Sequence, residues 1–473
     1  MRMTNPRARR SPSLGVLSRP VLSRSSPPVL PVAWFSLVVP IPRCGLRDRD
    51  GRHVGKLMPE RDESLYLCLL LALSPAVCLG IGRFAYALVL PEMRADLAWS
   101  YGQAGWINSV NAAGYLAGAL LAPLVGRRYG LSRVVVLATL ITALSTLALG
   151  LTRSFEWLSF WRFAAGLFGA FGFVLGGALA AELAGSAHRN ESLRLGFFYG
   201  GAGLGIAISG ALAPVITATG GGESWPLVWV GLGIAALLMA GAMTPVLKHQ
   251  PTTSAGGSQA THAARRMSIS AAMPLLLAYG AFGAGYIGYM TFMIAWMRTT
   301  GAAAPMVTLF WLSIGCAVLA SPWLWARLLR NAAGGRAFAL LIATCTVGGV
   351  LPLLSARPSA FVLSGLIFGC AFFSVVASTT AFIRRNVHRT EWSRAIGTFT
   401  VVFGLGQVVG PTLTGAVSDA SGSLTAGLGL TCVLLFAGFL LSVFQGDLIE
   451  GKADLARAPA NSAGNGSAAG RSS

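Results

Sequence analysis

The chain has 473 residues, of which 54% are hydrophobic and 11% charged. Soluble domains carry about 25% charged residues, so this chain cannot wrap a water-facing surface, and its length belongs to one large membrane body. A net charge of +20 would suit nucleic acid, yet the basic residues gather before Leu57 and between apolar runs, the arrangement of membrane loops facing cytoplasm; a nucleic-acid partner is not expected.

Residues 1–57 are unlike the rest. They hold Arg7-Ala8-Arg9-Arg10, Ser25-Ser26-Pro27-Pro28 and scattered prolines. The apolar run 29–41 contains Pro31 and Pro40. It is shorter than the ~20 residues of a span and has no small-residue cleavage site after it, so it does not read as a signal peptide. Met58-Pro59-Glu60-Arg61 leads directly into the first apolar span, which makes Met58 the expected start; a basic tail on anionic lipid is the competing reading. Either way, residues 1–63 are expected to be a disordered basic tail.

From Leu65 onward, apolar stretches alternate with short polar links. They lie near 65–90, 101–124, 133–152, 157–181, 195–218, 226–247, 271–296, 305–326, 337–355, 359–382, 396–418 and 424–444. Each matches the ~30 Å of hydrocarbon at 1.5 Å rise per residue, and helices are required because lipid offers backbone groups no partners. The expected fold class is an all-α membrane protein with twelve transmembrane helices. Links after even-numbered spans carry Arg127, Arg128, Arg133, Arg189, Arg194, Lys248, Arg265, Arg266, Arg327, Arg330, Arg336, Arg384, Arg385, Arg389 and Arg394. Links after odd-numbered spans carry Arg94, Arg153, Arg298 and Arg357. That asymmetry places both termini in the cytoplasm of a multi-pass inner-membrane protein. Residues 248–270 read as a flexible linker between a 64–247 bundle and a 271–445 bundle, with 446–473 a disordered tail. Six cysteines (Cys68, Cys78, Cys316, Cys345, Cys370, Cys432) sit in apolar stretches with no C-x-x-C pair, which gives neither a disulfide framework nor a metal site.

The two halves repeat at an offset near 200 residues. His188-Arg189-Asn190-Glu191-Ser192-Leu193-Arg194 recurs as His388-Arg389-Thr390-Glu391-Trp392-Ser393-Arg394, Gly203-Leu204-Gly205 as Gly404-Leu405-Gly406, and Gly80-Ile81-Gly82 as Gly283-Ala284-Gly285. The common offset at equivalent places implies two pseudo-symmetric six-helix bundles. The repeated basic-acidic loops suit a cytoplasmic gate of Arg127, Arg128, Arg189, Glu191, Arg194, Arg389, Glu391 and Arg394. They equally suit plain positive-inside charge and helix capping.

Gly80-Ile81-Gly82-Arg83-Phe84-Ala85-Tyr86, closing at Leu90-Pro91, resembles the first span of the YbfB/YjiJ-like branch of the major facilitator superfamily. The fifth span, Gly203-Leu204-Gly205-Ile206-Ala207-Ile208-Ser209-Gly210, is similar to that branch's own, as is the eleventh, Gly404-Leu405-Gly406-Gln407 with Gly410-Pro411 and Gly415. The resemblance runs from Ser64 to Gln445. It implies the major facilitator fold, a cargo site between the halves at mid-membrane, alternating access by rocking, and a monomer. It implies no particular cargo. Two departures matter. The superfamily's acidic gate residue between spans 2 and 3 is replaced by Arg127, and Gly210 is followed by Ala211 where antiporters carry Gly-Pro.

Ionisable residues within spans are functional candidates by default. Arg83 in span 1 and Arg162 in span 4 stand out, and their repeat mates are Tyr286 and Val362. The resemblance puts spans 1 and 4 at the central cavity. Guanidinium groups there favour an anionic cargo; each can also snorkel or satisfy backbone carbonyls at a packed contact. Tyr86, Asn108, Asn111, Tyr115, Tyr286, Tyr289 and Gln407 are further cavity candidates, with Asn108, Asn111 and Tyr115 on one face of span 2. Packing between helices accounts for them equally well. Gly203, Gly205, Gly404, Gly406, Gly410 and Pro411 are read as close-packing positions. No mid-membrane carboxylate is present, so Glu182, at the inner end of span 4, is the candidate for a coupling proton, with a structural role at the loop end as the competing reading.

A pump would need a P-loop, and Gly-x-x-x-x-Gly-Lys-[Ser/Thr] does not occur. A membrane enzyme, the runner-up, would need converging acids, histidines or metal ligands, and none of the five histidines lies in a span. A receptor or scaffold is the third reading. The leading one is a secondary transporter of a small organic solute, without cofactor or metal.

Overall fold

Twelve helices long and apolar enough to cross a membrane make up a computed structural model of the chain. It describes residues 60–185, 191–220, 224–249, 268–388 and 391–448. Residues 1–59 of the expected N-terminal tail with its start site, most of the 248–270 linker, Arg189, Arg389, the side chain of Glu191 and the tail from 449 lie outside the described residues; residues 60–63, expected in that tail, instead open the first helix, Glu60–Leu71. Among the described residues there is no strand.

The spans are α1 (Ser64–Asp96), α2 (Tyr101–Tyr129), α3 (Leu131–Leu149), α4 (Phe155–Ala184), α5 (Leu193–Ala218), α6 (Trp225–Lys248), α7 (Ile269–Thr299), α8 (Ala304–Asn331), α9 (Arg336–Leu354), α10 (Pro358–Asn386), α11 (Trp392–Ser421) and α12 (Leu424–Val443). Several outrun their apolar stretches, because hydropathy marks the hydrocarbon while a helix continues until a cap or a turn stops it. Helix α1 runs on to Asp96 and stops before Ala98, whose φ is 52°. Helix α2 starts on a capping box in which Ser100 and Gln103 satisfy each other's backbone N–H groups. Gly422, at φ 67°, closes α11.

Packing repeats with a period of six helices. Helices α2 and α4, α3 and α4, α3 and α6, and α1 and α5 pair in the first half. Their counterparts α8 and α10, α9 and α10, α9 and α12, and α7 and α11 pair in the second. The halves meet through α2 against α11 and α5 against α8, which are exchanged by the same symmetry. Backbone closeness there requires glycine. A Cβ on Gly203 of α5 would stand 2.5 Å from the Gly315 carbonyl oxygen of α8. One on Gly105 of α2 would strike the Pro411 carbonyl of α11. Outward faces carry exposed Leu124, Leu144, Leu238, Val347, Val433 and Phe436, an apolar belt suited to lipid.

Helices α1 and α7 are the most enclosed: 78% and 67% of their apolar windows are buried. They form the centre. Helix α1 is not uniform. Ordinary α-helix reaches Leu71, a π-helical stretch covers Ala76–Phe84, and α-helix resumes at Tyr86. Pro75 precedes the π stretch and has no N–H to give, which loosens the α ladder there. Nine residues of π-helix is long, since such turns mostly occur singly and often at functional sites.

Candidate functional site

The π stretch ends on the central charge. Arg83 lies in its last turn and is 4% exposed. Its Nη2 donates to Oε1 of Gln407 on α11 at 2.9 Å. Gln407 Nε2 in turn donates to the Tyr286 hydroxyl on α7 at 2.7 Å. The guanidinium also sits 4.8 Å from the ring centroid of Tyr115 on α2, a cation–π distance. Its Nε is buried with no acceptor. Arg83 and its repeat mate Tyr286 thus meet across the two halves through one amide.

Arg162, on α4, is 1% exposed and differently employed. Its Nη1 donates to the Gly82 carbonyl at 2.7 Å, and its Nη2 to Asn108 Oδ1 at 2.6 Å and to the Arg83 carbonyl at 3.5 Å. The Tyr86 ring lies 4.8 Å from its guanidinium carbon, and the Tyr86 hydroxyl donates to the Ala104 carbonyl. Arg162 therefore fastens α4 and α2 to the end of the π stretch. Asn108 Nδ2 continues to Thr291 Oγ1 on α7 at 2.6 Å, and Thr291 donates to the Ile287 carbonyl. A buried chain of neutral acceptors runs from Arg162 into the second half.

Among the described residues, no carboxylate pairs with Arg83 or Arg162. The acids with described side chains lie at span ends, at Glu92, Asp96, Glu156, Glu182, Glu391, Asp419 and Asp447. Burying a cation carries a penalty of several kcal/mol unless partners compensate. Carbonyls, an amide and a ring serve Arg162. Arg83 has one amide oxygen and one ring, and in both arginines the Nε is buried without an acceptor.

Aromatic rings surround the Arg83 end. Phe84 meets Phe372 and Phe373 of α10 edge-on, with centroids at 5.8 and 6.2 Å. Tyr286 stacks on Phe282 at 5.0 Å, and on Phe372 and Phe403 at 5.8 Å each. Sequence reasoning singled out none of the phenylalanines, nor Thr291. An apolar ring does not stand out in an apolar span, and a threonine there is unremarkable until its partner is known.

The other predicted residues fall elsewhere. Asn111 Nδ2 donates to the Arg162 carbonyl and its Oδ1 has no partner, so it joins α2 to α4 beside the site. Tyr289 turns away: its hydroxyl bonds Ser364 at 2.6 Å and its ring stacks on Phe368 at 4.2 Å, inside the second half. Glu182 lies 20 residues beyond Arg162 on α4, about 30 Å along the helix and out of reach of the site. Of the proposed gate, Arg127, Arg128 and Arg394 are exposed and Glu391 is half-buried. Arg194 is buried, and its Nη1 donates to Ser64 Oγ and to the Leu183 carbonyl within the first half. A Cβ on Gly205 would strike the Ala76 carbonyl, one on Gly406 the Gly280 carbonyl, and one on Gly404 the Leu116 side chain across the interface at 2.6 Å. One on Gly410 would lie 2.7 Å from Ala284 Cα.

Asp419 does what the sequence did not suggest. Its carboxylate, on α11, accepts from the backbone N–H groups of Tyr101 and Gly102 at 2.8 and 2.7 Å. It thereby caps the first turn of α2 from the opposite half, where the helix dipole favours negative charge. About two turns further in, the Ser109 and Thr412 hydroxyls bond at 2.8 Å, and Trp311 Nε1 donates to Ser209 Oγ at 3.1 Å. These bonds join the halves between mid-membrane and the α1–α2 end. A surface concavity of about 480 Å³ between the ends of α5 and α8, lined by Pro214, Pro305 and Leu309, holds no charge and lies away from this chemistry.

A sequence profile of the family described as uncharacterised MFS-type transporter YbfB matches residues 75–443. The chain belongs to that family. It is a multi-pass membrane transporter, not an enzyme, with the major facilitator fold. A YbfB-type chain keeps company with carriers of varied cargo. It is 30% identical over 181 residues to the 3-(3-hydroxy-phenyl)propionate transporter of Escherichia coli (strain K12), a match spanning 37% of this chain and 40% of that relative. Among solved structures, a bacterial homolog of the human lysosomal transporter Spinster, inward-facing and occupied, superposes with TM-score 0.57 at 16% identity, covering 82% of this chain and 97% of that one. The nucleoside transporter NupG superposes with TM-score 0.58 at 14% identity, covering 80% and 97%. At these identities the structures speak for the fold alone.

Proposed function

We propose that this chain is a secondary carrier that moves a small organic anion across the inner membrane by alternating access. The observation that carries the reading is Arg83: a buried cation between the halves that meets no acid among the described residues, and whose guanidinium is held by one neutral amide and one ring. A guanidinium presents a fork that matches a carboxylate. The rings of Phe84, Tyr115, Tyr286, Phe372 and Phe373 would surround the body of such a cargo. The name of the Escherichia coli relative supports the class, since a propionate is a carboxylate. Cargo-dependent rocking would break the bonds at Asp419, Ser109 and Gln407 and open the α1–α2 end. Both termini would face the cytoplasm, and one chain would suffice. A proton is the expected coupling ion, because an anion enters a negative interior against the membrane potential; its carrier would be the cargo itself.

Purified protein in liposomes tests this. Labelled 3-(3-hydroxyphenyl)propionate and a panel of carboxylates, amines and neutral solutes are offered with and without a proton gradient. Uptake confined to carboxylates supports the proposal. Uptake confined to cationic or neutral solutes refutes it.

A further inference from the structure

We propose that Gln407 is the protein's own stand-in for the cargo's carboxylate: in the empty carrier its amide oxygen holds part of the Arg83 edge that an anion takes in the loaded one. This rests on the anion-carrier reading above.

The orientation of the amide is fixed by its neighbours. Arginine can only donate, so the oxygen must face Arg83, and the Gln407 nitrogen is left to donate to Tyr286 at 2.7 Å. The donors are those of the side-on edge of the guanidinium, Nε and Nη2, which matches the two oxygens of a carboxylate. Gln407 supplies one oxygen, to Nη2, and leaves Nε bare. It satisfies half the edge and none of the charge. A carboxylate would fill both donors with charge-assisted bonds, which are roughly twice as strong as neutral ones. The amide is therefore displaceable by the cargo, yet present when cargo is absent.

Its location gives the displacement a consequence. Arg83 belongs to the first half and Gln407 to the second, so their bond ties the halves at the centre. Cargo would exchange a link between halves for one between protein and anion. In its absence, Gln407 spares the returning carrier a fully unpartnered cation. Net transport needs that return; exchange of one anion for another does not. Gln407 is thus assigned a part in the empty-carrier step, and not the role of a cargo ligand.

Thermal unfolding of detergent-purified protein, with no carboxylate added, tests the central point. Gln407→Glu supplies the missing oxygen and charge and should melt above wild type by about 1–3 °C, the shift expected for one charge-assisted hydrogen bond in a protein of this size. Gln407→Leu should melt below it. The gain from Gln407→Glu should vanish when Arg83→Gln is added. A Gln407→Glu protein that melts at or below wild type, or misfolds, overturns the proposal, as does a gain that survives Arg83→Gln. Variants that melt as expected in a protein that moves no carboxylate would sink the carrier reading and the stand-in role with it; carboxylate uptake by wild type with no gain from Gln407→Glu would sink the stand-in role alone.

Discussion

Arg162 is the residue whose removal should unsettle the site without touching cargo. Arg162→Leu deletes two strong hydrogen bonds, to the Gly82 carbonyl at 2.7 Å and Asn108 Oδ1 at 2.6 Å, and a longer one to the Arg83 carbonyl at 3.5 Å. Each buried acceptor left without a donor costs about 1–3 kcal/mol, so two cost about 2–6 kcal/mol. Relief from burying a cation offsets part of that. The lower end, about 2 kcal/mol, is the expected net loss, or a melting point lower by about 2 °C for a chain of this length. The π stretch should detach locally before the protein unfolds. Cys78 lies within it and is 2% exposed, so a thiol-reactive fluorophore reports both events. With the other cysteines replaced by serine, Cys316 among them because it is exposed, the variant should label Cys78 faster than its Arg162-containing parent. Melting within about 1 °C of wild type, with unchanged Cys78 labelling, would refute the idea that Arg162 fastens α1.

Other substitutions probe other parts of the account. Asp419→Ala removes the carboxylate that caps α2 from α11. Labelling of a Ser109→Cys reporter from the α1–α2 side should then rise, and an unchanged rate would mean that Asp419 is no lock. Gly410→Ala sets a methyl 2.7 Å from Ala284 Cα, which is backbone and cannot swing away. It should destabilise by about 1–3 kcal/mol, read as a lower melting point. Tyr289→Phe loses the bond to Ser364, worth about 1 kcal/mol, and should leave cargo affinity intact, because Tyr289 packs inside the second half. A large rise in the cargo concentration needed for half-maximal uptake would return Tyr289 to the site.

Hydropathy alone carries the number of helices, since an apolar run of span length in lipid has no other satisfied conformation. The repeat supplies their division into halves. Arg83 and Arg162 stand out for the same reason, as charges where charge is expensive. Their different roles were not legible. Both are arginines in apolar helices with a bare Nε, and only the positions of Gly82, Asn108 and Gln407 separate the one bonded through both terminal nitrogens from the one held by a single amide. The π stretch is likewise silent in the sequence beyond Pro75, because hydropathy averages over register. Asp419 reads as an acid at a helix end. That it caps a helix of the opposite half depends on the α2–α11 contact, which no local pattern encodes. Tyr289 shares the polar-aromatic character of Tyr286 one turn away, yet a different neighbour, Ser364, claims its hydroxyl.

The account turns on Arg83 as the anchor of an anionic cargo. The direct test is initial uptake of labelled carboxylates into liposomes containing wild type, Arg83→Lys or Arg83→Ala at equal amounts of inserted, correctly sized protein. Arg83→Ala should abolish uptake. Arg83→Lys should lose most of it, since a lysine keeps the charge without the two-donor edge. Uptake by Arg83→Ala at the wild-type rate would contradict the account.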